Sequence, residues 1–587
     1  MDGLVERFGA TLVNPAPILQ PGDAGNTLRI LVGSSSTFPG LFNTVLSSEA
    51  FDSQIMDFQM SPLVSLDGTF MWTDDGIATL RFDNDNTVVE LNMQRDVYWH
   101  DGTPLTLDDL VFAYELMSHP EEETGIRYGA THFVSWVVGI EEWRDGTADH
   151  ISGMVLSNNN RTLRIYYDRQ LPPGAQYAGS VWLTPTPRHH LEPAIAEVGW
   201  GGLAEHPRAR HEALGFGPWI IESIVPGESV LFRANDNYHR GRPNIDSLLW
   251  QIRPLEIFMA AMREGEYDIV TTFGAVHFEE HELFNPNNYQ VLAMPGTGTG
   301  FLYFRTGTFV DGLVVPRAPG WHPIQDVAIR RALAHAMPQQ LIADTIQNGL
   351  SIPAGTVLSP FNARTHINPT IGGAEGMFPF DLDVARMILD EAGYTAFGPD
   401  GFRLDLDGNP MEFYFAANDN AFNREAVPTY LSYWREVGLD VRIYTGDLID
   451  WGTFLENVLL SDNWSDNIHM FISNWTLGMN PAPHGLWNYD AAFNMARHMS
   501  DEMRGILDDI NSQDAFDAAF LQDAYDRWQI YFAENAVAQH MFWGISMIPV
   551  NNRVANFTLV RESGLHGWVQ RSHLFGLTAP TPYANTN

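Results

Sequence analysis

The chain has 587 residues, with 33 basic residues against 72 acidic ones and a formal charge of −39 at pH 7. Every basic residue is arginine, and neither lysine nor cysteine occurs. Without cysteine there is no thiol nucleophile, disulfide or thiolate metal site; without lysine there is no Schiff base, PLP anchor or P-loop lysine. The acidic balance opposes nucleic-acid binding, which needs a basic face for phosphate contacts.

At 45% hydrophobic and 18% charged, against about 25% charged in a typical domain, the chain reads as globular. Its length suits about three or four domains. No stretch reaches the roughly 18 uninterrupted apolar residues of a membrane span. The opening MDGLVERFGATLVNPAP lacks the basic and apolar regions of a signal peptide. Arginine keeps its charge beyond about pH 12, whereas lysine titrates near 10.4. A lysine-free acidic surface therefore points to an extracellular setting, alkaline or salty.

In chain order, LRILV (28–32) is the first strand, and TVVELNM (87–93) alternates as another. After the Asp101-Gly102 turn, Thr106 is placed to cap a helix with Asp109 in a capping-box position. Residues 219–224 and 229–233 read as strands joined by Pro226-Gly227. The glycine-rich PGTGTG at 295–300 is a poor phosphate loop and reads as a flexible crossing between two lobes. The pattern over 326–347 predicts a helix that Pro338 splits in two. Asp381 starts a helix that Gly393 ends, and a helix over 422–437 stops at Gly438 before the strand VRIY. A last long helix covers 500–534. Helix, glycine stop, strand is the grammar of an α/β fold.

Several stretches together resemble one family. MQRDVYWHDGTPLTLDDLVFAYELM (93–117) and LGFGPWIIESIVPGESVLFRANDNYHRGRPNIDSLLW (214–250) are similar to blocks of the extracellular solute-binding proteins of family 5. IQDVAIRRALAHAM (324–337) and FDLDVARMILDEAGY (380–394) resemble helices of its C-terminal lobe. The family contains the oligopeptide-, dipeptide- and nickel-binding components of ABC importers.

The resemblance implies a bilobed periplasmic-binding-protein-like α/β clamp (type II, cluster C) with an extra inserted domain. Lobe I would take 1–46, 185–296 and 546–587, the inserted subdomain 47–184, and lobe II 297–545. It implies no enzyme activity and no cofactor. The expected partners are an oligopeptide, or an oligosaccharide, and the ABC permease and ATPase. A nickel chelate ranks behind both. The protein would be a monomer, periplasmic or held at the cell surface by a lipidated cysteine ahead of Met1.

The family's W-x-x-x-x-D-P pocket segment corresponds to NWTLGMNPAPHGLWN (474–488), where Trp475 and Pro481 are kept and Asn480 replaces the aspartate. An amide lacks the charge that strengthens a bond to a peptide ammonium, which weakens the case for a free amino terminus held there and leaves gripping by the ligand backbone, or a sugar, open. The resemblance places Trp475, Met479, Asn480 and Trp487 in the pocket, and Ser36, Thr37 and Phe38 of GSSSTFPGLFN at its rim. The alternatives for these residues are core packing and a capped turn. HFEEH (277–281) matches a zinc-peptidase pattern, which makes a secreted metallohydrolase the reading from a different class. Its position between Gly274 and Asn285-Pro286 leaves little room for the helix that zinc ligation needs, so an acidic surface turn is preferred.

Overall fold

The computed structural model describes residues 9–12, 14–34, 36–47, 49–66, 72–121, 133–176, 181–273, 288–359, 366–371, 376–459, 463–464, 466–477, 481–559 and 564–584. Strand β1 (Thr27–Gly33) carries Leu28, Ile30, Leu31 and Val32, all buried, as a central parallel strand covered on both faces requires. Strands β2 (Ala78–Phe82), β3 (Val88–Met93), β4 (Met154–Ser157) and β5 (Thr162–Tyr166) form a separate antiparallel sheet in the order β2-β3-β5-β4.

The chain then returns to the main sheet with β6 (Trp219–Val225), β7 (Ser229–Ala234), β8 (Ser247–Arg253) and the short β9 (Ile269–Val270). The long β10 (Tyr289–Phe304) leaves this half, and β11 (Ser351–Pro353), β12 (Glu412–Ala417), β13 (Asp440–Ile443) and β14 (Met470–Thr476) build the other. The long β15 (Ala538–Asn551) comes back. Among the described residues the hydrogen-bonded order is β13-β12-β14-β10-β15-β9-β1-β8-β7-β6, with β11 attached to β15. On one side β8, β1 and β9 run parallel; on the other β13, β12 and β14 do. The antiparallel pair β10 and β15 joins the two halves.

The glycine-rich stretch expected as a flexible crossing is instead part of β10. The ladder runs to Pro295↔Ile545, resumes at Thr299↔Trp543, and shifts again between Gly300 and Phe301. From Pro295 to Thr299 one strand advances four residues while its partner advances two, which is a bulge. Bulging bends a strand without giving up its pairing, so the crossing is hydrogen-bonded on either side of its irregular point.

Most helical boundaries follow the sequence. Val327–His335 and Gln339–Thr345 are separated at Pro338, and Asp381 caps Leu382–Glu391 by accepting from the Asp383 and Val384 amides. Gly393 and Gly438, with φ of +94° and +88°, adopt the left-handed turn that ends a helix. Two expectations fail. Thr106 makes no side-chain cap on the helix Asp108–Ser118; only the Asp109 carboxylate reaches back, accepting the Thr106 amide at 3.0 Å. The helix expected over 500–534 is two, Asp501–Ile510 and Ala518–Glu534, because Asp517 caps a new start. No described helix is long and apolar enough to cross a membrane.

The buried apolar residues fall into separate cores. One packs the β2–β5 sheet against the helices 108–118 and 188–198. Another fills the β1, β6, β7 and β8 side, where the helix Ala50–Gln59 inserts Ile55, Met56 and Phe58 against Phe232 and Trp568. The remaining large ones, running through Phe301, Phe415, Trp434, Trp487 and Phe532, cover both faces of the β12–β14 side. A buried ion pair ties the first half to the returning strand. Arg553 donates to both Asp268 oxygens at 2.6 and 2.7 Å and to the Thr27 and Ala579 carbonyls.

Candidate functional site

A cavity of about 420 Å³ opens where the two halves face each other beside the β10–β15 crossing. Gln54 of the helix 50–59, Thr271, Phe273 and Trp568 form the wall on one side. Gln347, Leu350, Ser351, Asn474 and Trp475 form the other, and Gly298, Thr299, Phe542 and Gly544 to Ile548 make the floor. None of these described lining residues is charged. Aromatic walls with a few amides and hydroxyls are the composition of a small-molecule or peptide cleft. Two of the polar atoms, Gln347 Oε1 and Ser351 Oγ, are buried with no hydrogen-bond partner among the described residues. Buried polar atoms are nearly always paired, so these have bonding capacity left for an occupant.

The bulge shapes the floor. A Cβ on Gly300 would stand 2.8 Å from Asn474 Oδ1 and 3.3 Å from the Phe542 ring, so a side chain here would displace the Asn474 amide. A Cβ on Gly298 would meet nothing within 4 Å and would point into open space. Between them Thr299 is buried; its single hydroxyl proton is shared between the Phe542 carbonyl, at 2.7 Å, and His540 Nε2. His540 Nδ1 donates to the Thr356 carbonyl at 2.6 Å, which fixes Nε2 as the acceptor. Burial pushes that imidazole down to about 3, so it stays neutral. The crossing is thereby pinned by uncharged hydrogen bonds at the point where its register breaks.

The model of the bacterial extracellular solute-binding proteins, family 5 Middle, matches residues 76–497. The chain belongs to this family. Its relatives include the oligopeptide-binding protein OppA of Lactococcus lactis subsp. cremoris, 24% identical over 501 residues, which are 84% of this chain and 80% of that one. The oligopeptide-binding protein AppA of Bacillus subtilis is 21% identical over 492 residues, covering 80% and 77%. Among solved structures, lactococcal OppA complexed with an endogenous peptide in the closed conformation aligns with a TM-score of 0.82 at 22% identity, covering 91% of this chain and 97% of that one. AppA from Bacillus subtilis in complex with a nonapeptide gives 0.75 at 18% identity, over 94% and 100%. The fold is the bilobed α/β clamp of this family.

Within this solute-binding protein the residues singled out from the sequence separate. Trp475 lines the cavity, its ring edge-on to Phe493 at 5.4 Å. Trp487 is 2% exposed and packs among Phe301, Tyr303 and Phe532, so it belongs to the core behind the wall. Phe38 is buried edge-on against Trp250 at 5.7 Å and is likewise core. Thr37 is exposed beside the hairpin turn at Gly227, away from the cavity lining. Ser36 is buried and accepts the Trp451 amide at 2.8 Å. Met479 and Asn480 lie outside the described residues, as does HFEEH at 277–281.

Gln54, Thr271, Gln347, Ser351 and Phe542 escaped the sequence reading, since nothing local distinguishes a cleft amide or hydroxyl from a surface one. Gly298 and Gly300 did leave a signal. The glycine-rich stretch was visible, and its purpose is close approach and open space within a strand.

Proposed function

We propose that this chain is the extracellular substrate-binding component of an ABC importer, which closes two lobes over an oligopeptide and presents it to the permease and ATPase. The observation that carries the reading is the neutral, aromatic and amide-lined cavity between the halves, with Gln347 Oε1 and Ser351 Oγ left to bond an occupant. Neutral donors and acceptors suit a peptide backbone, which repeats N–H and C=O groups whatever its side chains. The names of the relatives, OppA and AppA, point the same way. The work is binding and hinge closure with no chemical step.

The lobes proposed are 1–46, 185–296 and 546–587 for the first and 297–545 for the second, with 47–184 as the inserted subdomain. The bulge between Pro295 and Thr299 supports the change of lobe near residue 296. Packing of Ile55, Met56 and Phe58 with the β1, β6, β7 and β8 core supports moving the helix 50–59, and Glu49 that caps it, from the inserted subdomain to lobe I. Met479 and Asn480, next to Trp475 in sequence, remain proposed ligand contacts, and surface tethering by a lipid anchor and a monomeric state belong to the same proposal.

Native mass spectrometry of the purified protein, followed by denaturation and identification of what it releases, tests this. A heterogeneous set of peptides is expected. A hexose ladder would replace the reading with an oligosaccharide binder, and a bound zinc ion with proteolytic activity would replace it with the metallohydrolase.

A further inference from the structure

The contact between Ser36 and Trp451 joins residues 415 positions apart, and it joins the two halves of the molecule. Ser36 follows the C-terminal end of β1, in the first half. Trp451 starts a short helix, Trp451–Phe454, after β13 in the second half and packs with that half's core. Both residues therefore sit in connecting segments beyond the carboxyl ends of parallel strands, the side on which open α/β sheets place their binding crevice.

Trp451 makes a second bond across the same gap. Its indole Nε1–H donates to Glu49 Oε1 at 3.2 Å. The other oxygen, Glu49 Oε2, accepts the Phe51 and Asp52 amides at 2.6 and 2.7 Å and caps the helix 50–59. That helix carries Gln54, one of the cavity walls. Next to it Asp52 is held by the Gly40 and Leu41 amides and by the Ser47 hydroxyl, so it is not competing for Trp451. One residue of the second half thus grips two of the first, and none of the three lines the cavity.

We infer that Trp451, Ser36 and Glu49 form a clasp that holds the two lobes closed independently of the ligand. The inference rests on the proposed solute-capture role and adds a positioning device to it. Glu49 is buried at this contact, and burial raises its carboxyl to about 7. A clasp made by residues outside the cavity contributes equally to every ligand. It tunes how long the cleft stays shut, while the lining residues decide what is held.

The absence of cysteine makes a direct test simple. Glu222→Cys on β6 and Glu425→Cys on the helix Ala421–Glu436 are exposed label positions, one on each half. Interlobe distance is then read by single-molecule energy transfer on ligand-stripped protein. Trp451→Phe keeps an aromatic ring, though a smaller one, and removes the indole N–H that reaches Glu49; Ser36→Ala removes the acceptor of the Trp451 amide. With two hydrogen bonds lost, the closed-to-open ratio is expected to fall about tenfold in the double variant, and less in either single one. An identical distance distribution in wild type and both variants, at unchanged melting temperature, would overturn the clasp. Peptide titration of the same samples separates the two claims. A wild type that shows the clasp-dependent closed state yet binds no peptide would remove the capture role and leave the clasp standing.

Discussion

Gly300 and Asn474 are fitted to each other across neighbouring strands, with the Asn474 carbonyl oxygen occupying the space that any side chain at 300 would need. Gly300→Ala puts a methyl 2.8 Å from that oxygen. The amide ends a rotatable side chain and can swing away, so the stability loss should stay within about 1 kcal/mol, mostly from the Phe542 ring. The displaced amide enters the cleft, and peptide affinity should fall about tenfold. Calorimetric titration beside thermal denaturation checks the split.

Gly298→Phe should do the opposite of a folding defect. The new side chain points into open space and sits on a strand, where aromatic residues are favoured. It should occupy part of the cavity and weaken peptide binding at least about a hundredfold, with the melting temperature within about 3 °C of wild type. Peptide titration and a thermal melt on the same sample read both quantities.

Arg553 and Asp268 are fully buried together. Arg553→Ala leaves the carboxylate uncompensated and should cost about 3–5 kcal/mol in urea denaturation. Arg553→Lys keeps the charge but lacks the planar fork that also holds the Thr27 and Ala579 carbonyls, so it should recover only part of that loss. This pair changes the meaning of the missing lysine. Arg305, Arg330, Arg403 and Arg497 are also buried, and Arg330 donates to the Ile324, Gln325, Asn535 and Ala536 carbonyls. Part of the arginine content is therefore internal scaffolding and owes nothing to the surrounding medium.

Acid should destabilise the fold. Burial pushes the imidazoles of His498 and His540 down to about 3 and that of His484 to about 4, against about 6.5 in the unfolded chain. As pH drops below about 6.5 the unfolded chain takes up protons that these groups refuse in the folded state, so stability falls from there toward pH 3–4. Glu49 and Asp57, both raised to about 7 by burial, act in the other sense, with their contribution lost as pH rises through 7. His100, His239, His322, His469 and His573 join the first group, all held down to about 3 or 4. The imidazoles dominate, and the urea midpoint should be lower at pH 5 than at pH 7.

Local signals carried most of the architecture. Pro338, Asp381, Gly393 and Gly438 act within one turn of their own positions, so their effects could be read from the chain directly. The β10–β15 pairing could not. It joins residues about 250 positions apart, and the glycines that look like punctuation inside β10 are needed for the approach of Asn474 and for an open floor. Aromatic residues showed the same limit. Trp475 and Trp487 sit in one segment, yet one walls the cleft and the other lies behind it, because which way a ring turns depends on partners such as Phe532 that are distant in sequence.

Whether the cleft takes peptides is decided by calorimetric titration of ligand-stripped protein with defined oligopeptides and with neutral oligosaccharides of similar size. Saturable peptide binding that Gly298→Phe weakens at least about a hundredfold, with no heat from the sugars, is expected. Saturable sugar binding with no response to any peptide would contradict it.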